Sequence, residues 1–105
     1  MTPTELAAQV DTLAAQLKAA LLQGDALDAA SDTLTHLGNA AQYLGGSLRV
    51  IAAAALAEYK STGIQEWDAL AEECFDAATP MVTGGVHVEE HAIPAVGDVR
   101  LAVTR

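Results

Sequence analysis

DALDAASDTLTHLGNAAQYLGGSLRVIAAAALAEYK, Asp25 to Lys60, carries one apolar seam from end to end. Taking every third then fourth residue from Leu27 gives Leu27, Ala30, Leu34, Leu37, Ala41, Leu44, Leu48, Ile51 and Ala55. Such 3-4 alternation marks a helix that buries one stripe against a partner. The phase holds through Gly45-Gly46, where a helix ordinarily stops, so a continuous or kinked helix over about 25–60 is preferred to a break. Small residues flank the seam on both sides. Ser31, Gly38, Gly45 and Ala52 follow it on one flank, and Ala26, Thr33, Ala40, Ser47 and Ala54 lie on the other. Small flanks let a neighbouring backbone approach toward the low end of the ~8–10 Å interaxial range. Each helical glycine costs roughly 1 kcal/mol relative to alanine, so a close contact is expected to offset it. A third row, His36, Tyr43, Val50 and Ala57, is also free of charge, which predicts that the second half of the helix is covered on more than one side.

Working outward, Thr2-Pro3-Thr4-Glu5 reads as a capping box with proline in the first helical turn. A first helix follows to about Gln23, with Leu6, Val10, Leu13, Leu17 and Ala20 on one face. Gly24 is a left-handed stop and Asp25 a cap for the next helix, so the first two helices are expected to form a tight antiparallel hairpin. The second helix outreaches the first by about 24 Å at 1.5 Å per residue. A third helix, Ile64 to about Ala78, is expected to fold back on that overhang. It would start at a second capping box, Thr62 with Gln65, and turn Ile64, Trp67, Leu70, Ala71, Cys74, Phe75 and Ala78 inward.

Thr79-Pro80 is then expected to end the helical part. Val86 to Ile93 and Val99 to Val103 lean toward β-structure, the second with clean alternation, and Pro94 to Asp98 lies between them. The sequence thus predicts a mainly α domain over 1–80: an antiparallel hairpin or bundle around a long central helix. A β-hairpin or extended tail over 81–105 belongs to the same domain, with Gly84-Gly85 as its hinge. A lone hairpin is marginal in water, so it would lie on the helices or pair across two copies of the chain.

Composition bounds the function more than it specifies it. The chain has 105 residues, enough for one domain, and 51% are hydrophobic while only 4% are aromatic. Its core is therefore alanine, leucine and valine, and the abundance of alanine suits a GC-rich bacterial genome. Five Lys and Arg against fourteen Asp and Glu give a net charge of −9. That disfavours direct nucleic-acid binding and anionic membranes and favours a basic protein surface as partner. The single cysteine, Cys74, makes no internal disulfide. No basic region precedes an apolar core at the N-terminus, and Arg49 interrupts the longest apolar stretch, so a cytoplasmic protein is expected.

No motif names a reaction, and neither an enzyme nor a cofactor is expected. His87, Glu90 and His91 match the H-x-x-E-H spacing of the inverted zinc peptidases, a motif that works on a helix. The valine-rich stretch reads as extended, which instead aligns His87, Glu89 and His91 on one strand face as weak metal candidates. His36 has no Ser, Cys or Asp arrangement around it in sequence and reads as a surface or interface residue. Cys74, among Glu72, Glu73 and Asp76, lacks the positive surroundings of a reactive thiol.

Two surfaces remain. Leu34, Leu37, Gly38, Leu44, Gly45, Leu48 and Ile51 form a self-association seam, which points to a non-enzymatic interaction or structural protein that forms a homo-oligomer, a dimer first of all. Glu66, Asp68, Glu72, Glu73 and Asp76 form an acidic face. An inhibitor, an antitoxin-like protein or a nucleic-acid mimic would use such a face against a basic protein. Metal binding through the tail histidines is a third reading.

Overall fold

The computed structural model describes residues 1–104, with Arg105 and the side chain of Asp25 outside the description. Four α-helices follow in order: α1 (Pro3–Ala20), α2 (Ala30–Thr62), α3 (Gln65–His87) and α4 (Ile93–Thr104). They fall into two compact units, Met1–Ala30 and Ser31–Arg105.

In the first unit the capping box forms as its residues require. Thr2 Oγ1 accepts from the Glu5 amide at 3.2 Å, and the Thr2 amide donates to Glu5 Oε2 at 3.4 Å. Pro3 opens the helix, where its missing N–H costs nothing. The stop comes where glycine allows it: Gly24 takes φ 120°, and the chain turns through residues 26–29. Ala29 is itself left-handed at φ 49°, so α2 starts at Ala30 and not at Asp25. The capping role expected of Asp25 lies outside the described side chains. None of α1 is buried, and Leu6, Val10, Leu13 and Leu17 are all exposed. The core residues all lie in α2 and α3.

In the second unit α2 and α3 pack antiparallel. The helix runs through Gly45-Gly46 unbroken. Ser47 Oγ donates back to the Tyr43 carbonyl at 3.0 Å across that turn. At the far end Gly63, with φ 71°, closes α2 by giving its amide to the Tyr59 carbonyl at 2.7 Å. The second capping box does not form. Thr62 Oγ1 instead donates to the Glu58 carbonyl at 2.8 Å and accepts from the Ile64 amide at 3.2 Å. Gln65 reaches back to the Tyr59 hydroxyl at 3.2 Å, and extended Ile64 is the residue that starts α3.

Except at Ala55, the contact line lies one position from the expected seam. Gly38, Gly45, Ala52 and Ala55 are buried on α2, and Ala71, Ala78 and Gly85 on α3. The flank of small residues is what meets the partner. A methyl group on Gly45 would stand 2.5 Å from Val82 Cγ2 and 3.1 Å from the Ala78 carbonyl oxygen. One on Gly85 would stand 2.6 Å from the Gly38 carbonyl oxygen. The two backbones meet where no Cβ intervenes, which is what offsets the weak helix propensity of these glycines. Ala52, Ala55 and Ala71 make the core cluster, with Leu56 and Cys74 half-buried against it. Val50, expected to be covered, is exposed.

The tail corrects the sequence reading most. Among the described residues there is no strand: α3 passes Pro80, a wide π turn spans Val88–Ala92, and α4 runs to Thr104. An interior proline costs about 3 kcal/mol or more through its lost hydrogen bond and ring clash. Pro80 is tolerated because it sits on the exposed side while Ala78, Met81, Val82 and Gly85 are held against α2. The same packing overrides the β-leaning valines, since propensity is weak beside tertiary contact. The π turn meets the second proline. Pro94 has no N–H to offer the Glu90 carbonyl, and just before it the Ile93 amide bonds to the Val88 carbonyl, five residues back. Gly84-Gly85 is thus helix and not a hinge, and Gly85 is its packed member. In α4 no residue is buried, and Val99, Leu101 and Val103 are exposed.

Candidate functional site

In an antiparallel helix pair, matching heptad positions lie on the same side of the contact line. Gly38, Gly45, Ala52 and Ala71, Ala78, Gly85 hold that line. One step to one side come Leu34, Ala41, Leu48 on α2 and Cys74, Met81, Val88 on α3, all half-buried. A step further on the same side come Leu37, Leu44 and Ile51, with Leu70 and Ala77 opposite, and Trp67 lies beside them. Leu37 keeps 38% of its surface exposed, Ile51 51%, Trp67 36% and Leu70 42%. The hairpin therefore has one apolar side that its own two helices half cover. The seam expected from sequence lies along this side, except that Gly38 and Gly45 are spent inside the hairpin. Tyr43 and Val50 face away from it, exposed and with no common stripe on α3.

The expected acidic face divides. Glu66, Glu72, Glu73 and Asp76 are exposed on α3, whereas Asp68 is half-buried beside the contact line. The i, i+4 relation of Asp68 to Glu72 survives, but only four of the five carboxylates face outward together.

The histidines lie on helix and not on strand, which changes which residues meet. His87 and His91, four apart, share a side with ring centroids 4.6 Å apart and planes inclined 33°. Glu89 is two residues from each, about 200° around the helix, so the expected trio on one face does not exist. Among the described residues no three His, Cys, Asp or Glu side chains come together as a metal site. His36 is exposed, and Cys74 is a free thiol, half-buried against the alanine core.

By length and composition α2 meets the requirement for a membrane span, which the central helix of a water-soluble protein also meets. Arg49 does not exclude it from that class as the sequence suggested. Compared with family models, curated proteins and solved structures, the chain matches none of them.

Proposed function

We propose that this is a non-enzymatic interaction protein that associates with a second copy of itself through the apolar side of the α2–α3 hairpin. One observation carries the reading: the hairpin buries alanine and glycine while Leu37, Ile51, Trp67 and Leu70 stay a third to a half exposed on one side. Full burial of such a side chain is worth about 1.5–3 kcal/mol, so finishing a half-buried one gives about 1 kcal/mol. With Leu44, five such residues from each copy come to about 10 kcal/mol, of which the ~4–15 kcal/mol cost of association leaves at most about 6 kcal/mol. A weak dimer, with a Kd of tens of micromolar or higher, is the expected consequence.

The test is solution mass by light scattering on a sizing column. The wild type is expected at twice the monomer mass, and Leu44→Glu with Ile51→Glu at the monomer mass. Tyr43→Glu, on the back of α2 away from α3, is expected to leave the dimer intact. A wild-type monomer up to about 1 mM protein sinks the proposal.

A second reading rests on Glu66, Glu72, Glu73 and Asp76, which face outward together on α3 and suit a basic protein partner. These carboxylates also support an aqueous, cytoplasmic setting. Membrane insertion of α2 with its packed neighbour α3 would take Asp68, Glu72, Glu73 and Asp76 along, at ~2.5–3.5 kcal/mol for each charge near the bilayer centre.

A further inference from the structure

The geometry points to His87 and His91 as a two-nitrogen chelate for a divalent copper or nickel ion, a site distinct from the self-association surface proposed above. Residues four apart on a helix carry their Cβ atoms ~5–6 Å apart, close enough for two imidazoles to share one ion. Here the ring centroids are already 4.6 Å apart and both residues are exposed, so burial does not stand in the way.

The ligands themselves select the class of metal: imidazole nitrogens suit copper and nickel ions, whose square-planar and octahedral geometries leave positions for water. Copper also heads the affinity order for nitrogen ligands. Water fills the remaining positions, because no third protein side chain comes within ligand distance among the described residues.

Two local features favour the site. His87 immediately precedes the π turn Val88–Ala92 and His91 lies within it, and such helix irregularities are frequent at functional sites. Glu89 and Glu90 beside them, in a chain of net charge −9, raise the local concentration of cations. Binding is a ligand exchange: two neutral imidazoles replace two waters of the aquo ion, and no electron moves.

The experiment titrates the full chain with Ni²⁺ and with Cu²⁺ by calorimetry in a non-coordinating buffer, with Zn²⁺ as the tetrahedral comparison. One ion per chain is expected, with Cu²⁺ and Ni²⁺ binding more tightly than Zn²⁺. Losing an outer-shell partner already weakens metal sites ~10–100-fold, so His87→Ala or His91→Ala is expected to weaken binding at least tenfold. Glu89→Gln and His36→Ala are expected to change it less than twofold. The Cu²⁺ form should show two imidazole nitrogens in its electron paramagnetic resonance spectrum. Absence of saturable binding overturns the proposal, as does binding that survives both alanine variants. Equal loss with Glu89→Gln, or saturation at half an ion per chain, also overturns it, because either places the ligands elsewhere or shares the metal between copies.

Discussion

A methyl group on Gly85 would meet the Gly38 carbonyl oxygen at 2.6 Å and the Gln42 amide nitrogen at 3.2 Å, while its neighbour Gly84 has nothing within 4 Å. The same residue type thus has opposite roles at adjacent positions. Gly85→Ala forces two backbones apart and is expected to destabilise by about 1–3 kcal/mol, the usual cost of overpacking. Gly84→Ala meets open space and is expected to stabilise by up to about 1 kcal/mol, the helix-propensity difference. Denaturant midpoints at one fixed protein concentration check both, and equal shifts for the two variants would mean that α3 does not approach α2 this closely. Sequence alone marks each Gly-Gly pair but not its packed member. That distinction follows from helical phase: Gly45 and Gly85 continue the rows of Ala52 and Ala78, and Gly46 and Gly84 do not. Where the interaction is local, as at Thr2 and Glu5, the residues suffice to read it.

The C-terminal helix was legible at the element scale, but under a competing signal. Ala71, Cys74, Ala78, Met81, Gly85, Val88 and Ala92 keep the same 3-4 spacing as α2, straight across Pro80. Proline, paired glycines and alternating valines are each sound local reasons to expect a break and strands. They lose because α2 offers a full-length surface of small residues to pack against, which no five-residue window shows. The seam on α2 was legible too, displaced by one position because leucines draw the eye where glycines make the contact. If Pro80 is carried by packing and not by preference, replacing it should release the cost. Pro80→Ala is expected to raise stability by about 1–3 kcal/mol, less than the full helix penalty because proline also restricts the unfolded chain. Helical signal at 222 nm should not fall. A loss of stability would show that Pro80 is itself needed to bring the later turns onto α2.

For the whole molecule, charge decides between the two functional readings, because they respond to salt with opposite sign. Two copies that each carry −9 repel, and the apolar side of the hairpin must overcome that repulsion. Screening falls from a Debye length of ~10 Å at 0.1 M to ~3 Å at 1 M, which weakens repulsion between copies while leaving apolar burial in force. Self-association through Leu37, Leu44, Ile51, Trp67 and Leu70 is therefore expected to strengthen as salt rises. A complex between the exposed carboxylates of α3 and a basic partner is held by attraction and is expected to weaken over the same range. Light-scattering mass at one protein concentration, stepped from about 0.1 to 1 M sodium chloride (the range of those ~10 and ~3 Å lengths), reads the sign directly. A mass that rises toward the dimer favours the apolar side as the working surface. A dimer that dissociates as salt is added would mean that ionic contacts hold it, and would move the interface from the leucine side of the hairpin to its charged one.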